Sequence, residues 1–395
     1  MISIYILWLF IFLLVAILFK LLNIKRNYLM CFFITIFIIF FIVNLKTSIE
    51  SAINGAKLVL YAILPTIFPF SVICNLLISY DGISLYSKIL GPLICKPLGL
   101  SKNSSFPIIA SFICGYPLGA KYASDIYNLG YIHKDEYERL LNIASNAGPV
   151  FILGSVAVAM LNNIKYGYIL LIANYLSCII IGMITKKNTK NKTNKFENKI
   201  SFKESNFGDN LKLSMENAIN TTLNVSAFVI IFSVIINIIK STTLISAAFS
   251  FLENLFRLPT GLIYNLFLGS IEFTNGCKLI STLNLSISLK LSIISFILCF
   301  SSLSIIAQVS SIVSKDSPNF KRYISLKFLQ GIIGFIITFI ASTFILISVP
   351  TFNSSPNYNY EVIIYKLFGL MYLLLLIPLL FSFIINFINK KLHSS

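Results

Sequence analysis

The sequence predicts an all-α polytopic membrane protein, with about nine transmembrane helices plus two re-entrant helical hairpins in an inverted repeat. Three observations predict it. Hydrophobic residues make up 57% of the 395-residue chain and charged residues only 11%, with a mean hydropathy of +0.86, whereas a soluble domain carries roughly 25% charge. Two apolar segments are broken at their centres by polar, glycine-bearing runs at 115–121 and 272–278. The short loops alternate between lysine-bearing and lysine-poor, as the positive-inside rule requires.

A run of about 20 apolar residues spans a bilayer as a helix. Residues 3–22 and 28–44 meet that length and form a two-helix N-terminal unit over 1–46. Residues 3–22 lack a basic leader and a small-residue cleavage site, so they read as a retained span. Residues 51–80 can also span, but Pro65 and Pro69 interrupt them, and proline removes a donor and kinks a helix. An interfacial stretch follows at 83–102, carrying Lys88, Lys96 and Lys102. Residues 104–130 are apolar around Gly115-Tyr116-Pro117, and neither half is long enough to cross alone, which is the length signature of a hairpin. Residues 134–161 form a crossing interrupted at Ser145-Asn146-Ala147-Gly148-Pro149, and residues 165–185 form an uninterrupted one. A lysine-rich linker at 186–208 holds seven lysines up to Lys203 and divides the chain.

The second half, 209–349, follows the order of the first, 47–185. Ala218-Ile219-Asn220 echoes Ala52-Ile53-Asn54 at the start of a span over 211–240. A second interrupted segment covers 259–284, a crossing covers 286–313, and a further span covers 328–349 before Pro350. The unit 350–395 adds a last span at 363–387 and a basic tail. Loop charges indicate that the two repeats are inverted. Lys20, Lys25 and Arg26 place the first turn in the cytoplasm, and the linker is cytoplasmic. The loop 314–327 is expected inside, with Lys315, Lys321, Arg322 and Lys327, and the loop 351–360 has no Lys or Arg. The N-terminus is thus expected outside, and the C-terminus, with Lys390 and Lys391, in the cytoplasm.

Composition also excludes function classes. A net charge of +17 can signal nucleic-acid binding, but here the lysines sit in loops, so no nucleic-acid partner is expected. The seven cysteines at 31, 74, 95, 114, 178, 277 and 299 show no CxxC spacing, and they support neither a disulfide framework nor a metal site. There are only two histidines, with no nucleophile motif, P-loop or dinucleotide fingerprint. The chain is expected not to be an enzyme and to need no cofactor.

Lipid offers no partner to freed backbone groups, so breaks survive only inside protein or beside a water-filled cavity. Matching breaks in two halves point to a transporter's binding site. The first break supplies Gly115, Tyr116, Pro117, Gly119 and Lys121, and the interrupted crossing supplies Ser145, Asn146 and Gly148. The second break supplies Glu272, Thr274, Asn275, Gly276 and Lys278, and Gln308 lies in an apolar crossing. A charge at membrane depth costs about 3 kcal/mol or more. Lys121 and Lys278 therefore either draw a substrate carboxylate or phosphate, or they snorkel or pair with an acid such as Asp125 or Glu272. Glu272 can bind a coupling ion, carry a proton or neutralise Lys278. Ser145, Asn146, Thr274 and Asn275 offer ligand contacts or satisfy a kink, and Gln308 can bond another helix. Tyr116 can stack on an aromatic substrate or pack. Residues 133–139, His-Lys-Asp-Glu-Tyr-Glu-Arg, read as a solvated helix start with acids at its N-terminus.

These residues also resemble a known family. The run 115–121, the segments Glu138-Arg139-Leu140-Leu141 and 145–151, and the flanking runs 64–70 and 272–276 are similar to the YlbJ family of sporulation integral membrane proteins, which carry nucleoside-recognition (Gate) domains. The likeness runs from about residue 53 to 308. It departs at Ser301-Ser302, where a Gly-Gly pair is expected, and at Cys114, where a serine is usual. The resemblance implies an architecture similar to that of concentrative nucleoside transporters. It also implies a place in the outer forespore membrane, and movement of dipicolinic acid, a small aromatic dicarboxylate. The expected function is therefore a transporter or channel for a small anion, with dipicolinate the suspected one. The alternatives are a nucleoside transporter of the same fold and a non-transporting sporulation scaffold. The expected partners are the lipid bilayer, the anion and a possible coupling ion, and oligomerisation stays open.

Overall fold

A computed structural model describes residues 26–186 and 206–346, and every regular element among them is helical. The spans expected at 3–22 and 363–387, most of the linker, the loop 351–360 and the C-terminal lysines lie outside the described residues. Four described helical stretches are long and apolar enough to cross a membrane, or up to six if each of two bent pairs counts as one. The chain is an all-α integral membrane protein.

Helix α1 (Arg26–Val43) turns at Asn44 into α2 (Leu45–Leu58), with a bend of 99° between 30–43 and 45–61. The chain stays helical through a π-wound stretch, Val59–Ile63, into α3 (Leu64–Ser79). Pro65 has no N–H to give the carbonyl of Tyr61, and its ring crowds that carbonyl. The wider π winding absorbs the misfit, so the prolines reshape this span without breaking it. Asp81, at φ 55°, then turns the chain by 88° into α4 (Gly82–Ile89). Together with α5 (Gly91–Leu98) this helix packs Ile83, Cys95 and Leu98 into the protein, all nearly free of solvent.

The first interrupted segment becomes α6 (Ser105–Cys114) and α7 (Leu118–Asn128). They fold back on each other closely enough that a Cβ on Gly119 would lie 2.4 Å from Ser111 Cβ. Helix α8 (Lys134–Ile143) and α9 (Val150–Met160, wound as a π-helix) flank an unwound stretch at 145–148. The α8 start is solvated at His133, Lys134 and Asp135, with Asp135 and Glu136 in its first turn, as expected, whereas Tyr137 and Arg139 further along are buried. Arg139 donates to the carbonyls of Leu98 (2.7 Å), Gly99 (3.0 Å) and Gly182 (3.3 Å). One guanidinium thereby ties the ends of α5 and α10 (Ile164–Ile184) together.

Helix α11 (Phe207–Ser241) has 35 residues. At 1.5 Å per residue it is about 52 Å long, more than the ~30 Å apolar core of a bilayer. It runs along α2 and α3, and Gly55 lets the backbones close, since a Cβ there would meet Ile230 Cα at 3.0 Å. After α12 (Thr243–Leu255), the second interrupted segment becomes α13 (Leu262–Ile271) and α14 (Phe273–Thr282), hinged at Glu272. A Cβ on Gly276 would lie 2.2 Å from Gly269 Cα, so only glycine permits this crossing.

The crossing expected at 286–313 is two helices, α15 (Ile287–Phe300) and α16 (Ser302–Ile312). Ser301 and Ser302 hold φ of 74° and 56° between them. The loop expected at 314–327 is shorter, because α17 (Phe320–Leu346) starts early and carries Lys321, Arg322 and Lys327. Gly331 and Gly334 of α17 seat Phe296 and Cys299 of α15, and such small residues bring membrane helices close. The core lies among the two interrupted segments, α8–α10 and α15–α17. Outward-facing Leu223, Ile340 and Phe344 on α11 and α17 suit lipid.

The serine pair generates a prediction. A left-handed non-glycine residue costs about 1–2 kcal/mol, and the Ser301 hydroxyl is buried without a partner. Ser301→Gly relieves both terms. It is expected to stabilise the protein by about 1 kcal/mol, read as a raised melting midpoint in detergent. A lowered midpoint would show that the serine is needed at this break.

Candidate functional site

The structure gathers the sequence-predicted residues into three places. The first is the crossing of the α6–α7 turn over the unwound stretch between α8 and α9. Gly115, at φ 84°, lies so near this stretch that a Cβ would sit 2.5 Å from Gly148 N. The Tyr116–Pro117 bond is cis. Unwinding frees four carbonyls in a dry interior, where an unpaired one costs about 1–3 kcal/mol. Each has a donor. Lys327 Nζ donates to Ser145 O. Tyr116 N donates to Asn146 O at 2.6 Å, and Ile152 N to Gly148 O at 3.1 Å. Asn174 Nδ2 donates to Ala147 O at 3.1 Å.

Side chains complete this network. Asn146 Nδ2 donates to Ile143 O at 2.6 Å and Ser111 Oγ at 3.3 Å. Its Oδ1 accepts from Gln330 Nε2 at 3.0 Å. Ser145 Oγ and Tyr323 OH share a 3.0 Å bond. Lys327 Nζ also donates to Gln330 Oε1 at 2.8 Å. Ser145 and Asn146 therefore have protein partners on the described chain. Lys327 and Gln330, counted above as a loop charge and a span residue, are both buried. The signal was available: Lys327 and Gln330 stand three apart, on one face of a helix that runs apolar beyond them.

The second place is the turn of the second segment. Glu272 makes no ion pair with Lys278. Its carboxylate instead accepts from Thr274 N (2.9 Å), Asn275 N (2.8 Å) and Asn275 Nδ2 (2.9 Å), capping α14. Anionic capping of a helix N-terminus is favourable. Lys278 is exposed. Phe273 joins the two turns: its ring centroid lies 5.2 Å from Tyr116 at 90° and 4.8 Å from Phe151 at 65°, favourable edge-to-face geometry. Tyr116 OH is buried with no partner, as is Gln308 Oε1 on α16.

The third place is a polar cavity of about 580 Å³ between α3, α7, α11 and α16. Among the predicted residues it holds Lys121 alone. Lys121 Nζ donates to Asp125 Oδ2 at 2.7 Å and Asn75 Oδ1 at 3.0 Å, so of the readings above the structure draws the acid pair. Asn75 Nδ2 donates in turn to Ser214 O at 3.2 Å. Helix α11 faces the cavity with Asn217, Asn220, Thr221 and Asn224, spacings of three and four that lie on one helical face. Asp316 Oδ2 accepts from Ser124 Oγ and Tyr137 OH, each at 2.5 Å, and Lys315 stands at the rim. The cavity thus holds two lysines and two aspartates within a wall of amides. Asn75 and the α11 face were missed because neutral amides carry no charge signal to set them apart from other polar helix residues.

The Gate family, described as nucleoside recognition, matches residues 60–141, which carry α3 to α8. The chain is 26% identical over 306 residues to the sporulation integral membrane protein YlbJ of Bacillus subtilis (strain 168), covering 72% of this chain and 75% of that one. A variant of CNTnw solved in an outward-facing state aligns with a TM-score of 0.45 and 18% identity, over 72% of this chain and 76% of its own.

The Glu272 cap separates its roles. Glu272→Ala removes a cap worth about 1 kcal/mol and lowers the melting midpoint. Glu272→Gln retains an acceptor and is expected to lose less. Equal losses in melting would mean that the carboxylate charge, not the bond, holds α14.

Proposed function

We propose that this protein is a non-enzymatic membrane transporter or channel for a small anionic solute, and that dipicolinate is that solute. The observation that carries the reading is the cavity beside Lys121. At about 580 Å³ it has the volume of a small-ligand site, and Lys121 and Lys315 both line it. They replace the pairing of Lys121 with Lys278, which the exposed position of Lys278 does not favour. Binding proceeds by exchange: a substrate carboxylate takes the Lys121 ammonium from Asp125, and the amides of Asn75, Asn217 and Asn224 bond the remaining oxygens. A charge-assisted bond of this kind contributes about 1.5–3 kcal/mol. The likeness to YlbJ, a sporulation integral membrane protein, supports a role in sporulation, and a place in the membrane around the forespore is part of this proposal. The two turns joined through Phe273 supply an element that can open and close access, in the manner of hairpins entering from opposite sides.

A nucleoside is the second reading. The Gate match favours it, as does the cavity's balanced charge, because amides donate and accept equally well to a neutral base and ribose.

Uptake into proteoliposomes separates the two. Dipicolinate is expected to accumulate saturably without competition from uridine. Lys121→Gln should cut that uptake roughly 10–100-fold, the loss of one charge-assisted bond, with protein yield unchanged. Saturable uridine uptake without dipicolinate uptake would replace the anion by the nucleoside. Full dipicolinate uptake by the variant would remove Lys121 from the site.

A further inference from the structure

Lys327 is a buried cation that the transport reading does not use. Its side chain is fully removed from solvent, and it forms no ion pair among the described residues. A charge at membrane depth normally faces a water-filled cavity or an opposite charge. Here Nζ meets oxygens instead: the carbonyl of Ser145, freed by the unwinding at 145–148, and the side-chain oxygen of Gln330 at 2.8 Å. Both are acceptors only, so the nitrogen donates to each. The amide cannot flip freely. Its nitrogen is committed to Asn146 Oδ1 at 3.0 Å and Ser177 Oγ at 3.3 Å, which holds Oε1 toward Lys327.

A carbonyl of an unwound membrane helix and an uncharged side-chain oxygen, both fixed on one positive charge, are the kind of ligand an alkali cation takes. We infer that the Lys327 ammonium is a tethered cation: it fills a monovalent-cation site built by the unwound stretch at 145–148 and Gln330, so the protein binds no free Na+ or K+ there. The tether explains why a lysine is kept where lipid and packed apolar side chains both oppose charge. The same charge anchors α17 to the α8–α9 break without needing an ion from solution.

The test needs no transported solute, so it stands apart from the dipicolinate reading. Melting midpoints are measured in detergent in NaCl, KCl and choline chloride at equal ionic strength, alongside binding of radioactive Na+. Wild type is expected to melt alike in all three salts and to bind no Na+ at this site. Lys327→Ala leaves the two oxygens without their donor and opens a space. It is expected to gain roughly 5 °C in NaCl or KCl over choline chloride, with about one Na+ bound per chain, as one vacated site implies. If the variant is recovered folded only when Na+ or K+ is present throughout purification, that dependence supports the site equally. Three results overturn the inference: a wild-type protein stabilised by Na+ with the ion bound, a folded variant indifferent to alkali ions, or a variant unfolded in every salt while Lys327→Met folds without any.

Discussion

The structure depends on one constraint: backbone carbonyls freed in an apolar interior must each find a donor. The unwound stretch between α8 and α9 exposes the carbonyls of Ser145, Asn146, Ala147 and Gly148. The donors come from α17, from the first turn, from α10 and from α9 itself. Four separate parts of the chain therefore meet at one place. Glycine is fixed there by the same demand, since Gly115 and Gly148 approach to a distance that no side chain allows.

That constraint also explains why the helical plan was legible in the sequence. Gly115, Pro117 and Gly148-Pro149 cannot extend a helix, and the chain breaks beside each of them. Breaks caused by competition were harder to see. Ser301 and Ser302 form a left-handed turn with no glycine to announce it, and Pro65 gave a π stretch where a kink was expected. The charge at Lys327 was assigned to a loop because a lysine count cannot tell a snorkelling charge from one drawn inward by a distant carbonyl.

The site was legible in its backbone and much less so in its cavity. Tyr116 and Asn146 do meet, but beyond each other Tyr116 meets Phe273 of α14 and Asn146 meets Gln330 of α17. Lys121 alone of the predicted residues reaches the polar cavity, because side chains one helical turn from a break point to a different neighbour than the break itself. The amides that line the cavity belong to α11, whose Asn217, Asn220 and Asn224 sit in a helix scored as an ordinary span. Glu272 shows the converse. An acid beside a lysine suggested a pair, yet helix-end N–H groups two and three residues away were nearer than the ammonium.

The Lys327 contact also has a consequence for biogenesis. Helix α17 leaves the ribosome with a lysine and a glutamine near its start, groups that resist release into lipid. Their acceptors, Ser145 and Asn146, were synthesised about 180 residues earlier and wait in an already inserted bundle. The second half is therefore not self-sufficient in the folded protein: the oxygens that receive the charge of its last described helix belong to the first half. Without residues 134–160, α17 would have no Ser145 carbonyl to receive its charge.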